Sequence, residues 1–224
     1  MNRNTVSTLS RNEESALATN KVLRNTYLLL SITFLFSAFT AYMSFAMGTR
    51  TMNPLLMIGG VYGLMFLTHS LRNSPWGIVS VFAFTGFLGY TLGPVLNMYI
   101  AHYSNGHQLI ATALGGTGVI FFGLSGYAVT TRKDFSYMGG FLFVAVMVAF
   151  LAMIANIFFQ IPMINLAISA AFVLISSGLI LFQTSEIIHG GETNYISATV
   201  SLFVSIYNLF ISLLNLLSAF SGRE

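Results

Sequence analysis

MGGFLFVAVMVAFLAMIANIFF, residues 138–159, has no charged side chain and one polar one, Asn156. A helix rises about 1.5 Å per residue, so roughly 20 apolar residues cross the ~30 Å hydrocarbon core of a bilayer. In water such a segment would have to be buried on every side. Working outward, the same pattern recurs at 26–47, 54–70, 76–99, 108–129, 163–188 and 195–220. The reading is an all-α, polytopic membrane protein with seven transmembrane helices. The second span is short, and the third is long enough to need a tilt or a kink.

Charge tells the same story. Between Asn25 and Gly222 only Arg50, Arg72, Arg132, Lys133, Asp134, Glu186 and Glu192 are charged, and six of these fall in short polar gaps. Charged residues make up 7% of the 224-residue chain, against about 25% in a soluble domain. The net charge of +3 comes without a basic face or a nucleic-acid motif, so the partner implied is the lipid bilayer and nucleic acid is excluded. With no cysteine, disulfides, thiol catalysis and Cys-ligated metals are excluded. No motif calls for a cofactor.

Residues 1–24, MNRNTVSTLSRNEESALATNKVLR, read as a mobile polar arm with a short helix around Glu13 to Leu23; residues 25–224 read as the membrane domain. The first apolar run is long enough to span and follows some 24 polar residues, so it reads as a retained helix and not a cleaved leader. With the N-terminus inside, the inner segments hold Arg3, Arg11, Lys21, Arg24, Arg72, Arg132 and Lys133, and the outer ones hold Arg50 and Arg223. This positive-inside bias, with seven spans, puts the C-terminus outside. Asn53-Pro54, Ser74-Pro75, Asn105-Gly106, Ile161-Pro162 and Gly190-Gly191 supply turn chemistry between spans.

Helix association in lipid relies on close backbone approach through small residues. Gly59 and Gly63, then Gly89 and Gly93, form GxxxG pairs in spans two and three, and span four carries five glycines. The bundle core is therefore expected on spans two to four. Pro94 should weaken or bend span three.

Gly86-Phe-Leu-Gly-Tyr-Thr-Leu-Gly-Pro94, the run from Ala113 through Leu-Ser-Gly-Tyr-Ala at 124–128, and Thr131-Arg-Lys-Asp-Phe-Ser136 together resemble the signature of the transmembrane Bax inhibitor motif (Bax inhibitor-one) family. The layout resembles that family from about residue 22 to the end. Leu181 to Tyr195, followed by Ile196 to Phe210, is similar to a bacterial inner-membrane branch whose members modulate the FtsH protease. The resemblance implies a seven-helix bundle with the last helix central, in the bacterial inner membrane. It also implies a non-enzymatic role: binding the membrane-anchored AAA protease FtsH, with HflK–HflC as associated partners, and restraining proteolysis as a slow substrate.

The alternative the resemblance carries is a pH-sensitive calcium or proton leak that needs an acidic pair on the last two helices. The matching positions here are Gln183 and Ser205. Two close carboxylates can share a proton, whereas an amide and a hydroxyl do not titrate near neutrality. The departure argues against a proton-gated calcium path. Glu186, one turn beyond Gln183, is either a displaced acid or an interfacial glutamate. Gln183, Ser205 and Asn208 either line a polar path or fix helix packing by hydrogen bonds, and Asn215 continues their face.

Other residues carry less. His102 and His107, five apart in the outer loop, have no acidic partner nearby, and His189-Gly-Gly-Glu192 does not match a helical zinc motif. Ser125 lacks a GxSxG frame and reads as a small packing residue, not a nucleophile. Arg132-Lys-Asp134 reads as a solvated inner loop.

Overall fold

A computed structural model describes the backbone of residues 3–221 and, residue 54 apart, the side chains of residues 19–221. Arg223, assigned to the outer side by the charge count, lies outside the described residues. The elements in order are α1 (Arg3–Ala46), α2 (Pro54–Leu71), α3 (Trp76–His102), α4 (Gly106–Thr131), α5 (Met138–Phe159), α6 (Pro162–His189) and α7 (Tyr195–Ser221). All seven are α-helices. Six are long and apolar enough to cross a membrane; the apolar stretch of α2, Leu55–Leu71, is shorter.

Six helices fall within about three residues of the predicted spans. α1 differs, because it reaches back to Arg3 without a break at the arm. No Gly or Pro occurs between residues 3 and 46, so nothing in the backbone stops the helix there. It ends only at Gly48, whose φ of 59° no β-branched residue would adopt readily. Elsewhere the turn chemistry acts as read. The Asn53 side chain accepts from the Leu55 amide at 2.9 Å at the start of α2. Gly190, at φ 77°, closes α6 by donating its N–H to the Glu186 and Ile187 carbonyls. Arg132 and Gln160 take the same left-handed cap position at φ 50° without being glycine.

α7 is the hub. It packs against α1, α2, α3, α4 and α6, and among the described residues α5 touches only α6. The main core joins Leu30, Phe84, Leu88, Phe121 and Ile180 to Leu202, Phe203, Ile206 and Leu209 of α7. The largest helix pairing is α1 with α3. The core therefore sits on α1, α3, α4, α6 and α7; α3 and α4 contribute as the glycine count suggested, whereas α2 adds only the partly buried Val61 and Leu64 at its edge.

The reason lies in where each glycine points. A methyl group added at Gly89 would strike the Ser37 carbonyl and hydroxyl, and one at Gly93 would come within 2.5 Å of Ser44 Cβ and 2.7 Å of Phe45 N. Their partners Ser37, Thr40 and Ser44 belong to a stripe of small residues on α1 that also holds the buried Thr33 and Ala41, with the Thr40 hydroxyl donating to the Gly86 carbonyl at 3.0 Å. Gly59 and Gly63 have open space where a Cβ would stand; Gly60 is the α2 glycine held against a neighbour, the ring of Phe87. Gly115, Gly118, Gly123 and Gly126 of α4 are likewise open. Pro94 lies inside α3, which continues to His102; its missing N–H leaves the Tyr90 carbonyl without its usual donor.

Candidate functional site

The α6–α7 hairpin sets the geometry of the polar interior. After Gly190, Asn194 caps α7, its Oδ1 accepting from the Ile196 and Ser197 amides at 3.0 and 3.1 Å. Its Nδ2 donates to the Arg72 carbonyl at 3.0 Å and to Asn73 Oδ1 at 2.9 Å, tying the α2–α3 loop to the same corner. The tight turn runs α6 and α7 antiparallel and brings Gln183 opposite Ser205.

Those two residues meet. The buried Ser205 hydroxyl lies 3.1 Å from Gln183 Oε1 and 3.0 Å from the Ser201 carbonyl, its single proton shared between two acceptors. Gln183, Ser197, Ser201, Ser205 and Asn208 form one wall of a cleft of about 640 Å³, faced by Tyr62, Met65, Phe66 and His69 of α2. Among the described residues α2 and α6 do not pack against each other, so the cleft has a lateral opening between them.

Glu186 does not join this group. Its carboxylate lies over the Gly190–Gly191 turn, where a Cβ on Gly191 would come within 2.9 Å of Glu186 Cδ. Asn208 does line the cleft, but Asn215 belongs to a separate cavity of about 370 Å³ at the other end of α7 and accepts from the Tyr99 hydroxyl at 2.5 Å. What the Gln183–Ser205 pair can do chemically is hydrogen-bond; it has no proton to exchange near neutrality.

A second polar cluster lies at the hairpin end of α6, and it was missed in the sequence. Ser185, fully buried, accepts from the Phe135 amide at 2.9 Å. His189 Nδ1 is 2.9 Å from the Ser185 carbonyl, and its Nε2 is 3.1 Å from the Arg132 carbonyl. The left-handed cap at Arg132 places that carbonyl within reach. The Asp134 carboxylate accepts from the Ser136 amide at 2.8 Å and hydroxyl at 2.5 Å. These bonds, led by the hydroxyl, hold its carboxyl below the usual carboxylate range, with His189 adding a small effect of the same sign. The α4–α5 connection is thus a hook whose backbone is fastened to α6, while the Arg132, Lys133 and Asp134 side chains stay exposed, as read from the sequence. The available signal was Thr184, Ser185 and His189 clustered at the end of an otherwise apolar helix.

Thr184 extends the polar contacts inward, 3.4 Å from the hydroxyls of both Tyr27 and Ser125. Ser125 is therefore a packing hydroxyl joining α4 to α6. His102 lines the second cavity beside Tyr99, whereas His107 lines a third cavity between α1 and α4, so the two do not converge. Among the described residues no three His, Asp or Glu side chains come together as a metal site.

Known sequences agree with this architecture. The family described as Inhibitor of apoptosis-promoting Bax1 matches residues 19–222. The chain is 56% identical over 215 residues to the Modulator of FtsH protease YccA of Escherichia coli strain K12, covering 96% of this chain and 97% of that one. The protein named Inner membrane protein YccA from E. coli O6:H1 gives the same figures. An uncharacterized protein of Pseudomonas aeruginosa is 55% identical over 203 residues, 91% of each chain. Half of the positions shared across nearly the whole length, on a membrane bundle of apolar helices, leave one conclusion: the chain belongs to the Inhibitor of apoptosis-promoting Bax1 family.

Proposed function

We propose that this protein is a multi-pass protein of the bacterial inner membrane that binds the FtsH protease and restrains its action on other membrane substrates. The observation that carries the reading is the 56% identity, across 96% of the chain, to a relative named as a modulator of that protease. The neutral Gln183–Ser205 contact supports a binding role over a conducting one, since it lacks the titratable pair that a pH-gated leak needs. All seven helices cross the membrane in this reading, with the N-terminus inside and the C-terminus outside. HflK–HflC join as further partners.

The mechanism is competitive. The arm, residues 1–24, is the segment that a processive ATP-driven protease grips. Because α1 runs unbroken from Arg3 to Ala46, a pull on the arm acts directly on the first span. That span is locked to α3 through Gly89 and Gly93, so extraction stalls and the protease stays occupied. Deleting residues 2–16 should lengthen the protein's half-life in cells containing FtsH and relieve the restraint on other substrates. An unchanged half-life, with membrane insertion intact, would sink the arm mechanism.

A further inference from the structure

The cleft beside α7 holds more hydrogen-bonding capacity than the described residues satisfy. Gln183 accepts from Ser205 through Oε1, but its Nε2 has no acceptor among the described residues. The Asn208 carboxamide and the Ser201 hydroxyl also have no side-chain partner there, and Ser197 Oγ is enclosed without one. In a hydrocarbon surrounding, each such group costs free energy until something pairs with it.

The position of these groups narrows what that is. From Ser197 to Asn208 is eleven residues, about 16 Å along the helix. With α7 starting at the inner interface, the row runs from headgroup level to the middle of the ~30 Å hydrocarbon core. Lipid headgroups and esters stay at the interface and do not reach Gln183 or Asn208. A helix lying alongside α7 does reach them. Ser201 is exposed and small, which permits close backbone approach. Met65 and Phe66 on α2 give an adaptable apolar wall.

We infer that the α2–α6 opening is a docking groove for a transmembrane helix of the partner protease, one that presents Ser, Thr, Asn or Gln side chains to the polar row on α7. This rests on the FtsH-binding reading and names its contact surface. Pairing with Gln183 and Asn208 supplies orientation, and the apolar wall supplies area.

The absence of cysteine makes Ser201→Cys the sole thiol of the chain. Coupled to a photoreactive maleimide in membranes containing FtsH, it should yield an adduct detected by FtsH antibody. Val144→Cys, as many residues into α5 and exposed, should yield little. Adding Gln183→Leu and Asn208→Leu should lower the adduct about eightfold, at roughly threefold per lost interhelical hydrogen bond, with an unchanged size-exclusion profile as the folding control. Equal adducts at both positions, or lipid adducts alone at Ser201→Cys, would overturn the groove. So would labelling by a water-soluble maleimide as fast as at Arg132→Cys, which marks a water-filled path. If FtsH co-purifies with the wild type but forms no adduct, the groove fails and the FtsH reading survives. If FtsH does not co-purify, both fail.

Discussion

Replacing Gly89 by Ala tests the α1–α3 seam most directly. The added methyl would overlap the Ser37 carbonyl, a backbone atom that cannot turn aside, and the Thr40 hydroxyl. The helices must therefore separate. Overpacking of this kind costs about 1–3 kcal/mol. Separation also weakens two bonds across the seam, Thr40 to the Gly86 carbonyl at 3.0 Å and Asn97 to the Phe45 carbonyl at 3.1 Å, each worth ~0.6 kcal/mol in a membrane protein. Alanine's better helix propensity returns up to ~1 kcal/mol. The net expectation is a loss of about 1–3 kcal/mol, of which overpacking is the largest part. Gly59→Ala is the matched control, because nothing lies within 4 Å of its Cβ position; it should be neutral or stabilising. Mixed-micelle SDS titration, followed through Trp76, the single tryptophan, reads both. Equal midpoints for the two variants, or a lower midpoint for Gly59→Ala, would refute the assignment of the seam.

Ser185→Val should release the α4–α5 hook, because the Phe135 amide loses its acceptor; in inside-out vesicles, where the proposed orientation exposes this loop, protease nicking between residues 132 and 137 should rise about fivefold or more, as expected for a local loss of about 1–3 kcal/mol. The Asp134 carboxyl is depressed in the folded chain, so its contribution is present above the ordinary carboxylate pKa and is lost as pH falls through the lowered value. Nicking in the hook should accordingly stay flat from neutrality down to the ordinary carboxylate range and rise only below it, and Asp134→Asn should remove that rise. The double variant Gln183→Asp, Ser205→Asp places two carboxylates where a 3.1 Å contact now stands, a pair that shares a proton. In calcium-loaded liposomes the wild type should show little pH-dependent release and the variant a clear one, and strong wild-type release at neutral pH would favour a leak.

Much of the fold was legible because bilayer thickness sets span length, and the apolar runs meet that length with few interruptions. The α6 and α7 ends were legible because Gly190 and Asn194 each do one local job. The helix faces were less so. Gly59–Gly63 and Gly89–Gly93 have the same spacing, yet only the second pair faces another helix. The spacing marks a surface that permits close approach without naming a partner. The partner's side was written in α1, where Thr33, Ser37, Thr40 and Ser44 repeat at helical spacing, but hydroxyl residues attract less notice than glycines. The Gln183–Ser205 contact was legible from the resemblance. The turn of Glu186 away from it was not, because one helical turn fixes a face and not the direction of a long side chain. Ser185 and His189 were hidden for another reason: their partners are backbone groups of residues 132 and 135, which no side-chain pattern reveals.

The brevity of α2 has a consequence for the lipid itself. At 18 residues it is about 27 Å long, a few ångströms short of the ~30 Å that its six longer neighbours match or exceed. In the seven-span reading proposed above, it draws the two leaflets together beside it, at a cost of fractions of a kcal/mol per Å. That dimple falls on one flank only, the flank where α2 stands apart from α6. The protein thus presents the bilayer with an asymmetric rim, and lateral encounters are biased toward neighbours whose own hydrophobic belt is short enough to share the thinned patch.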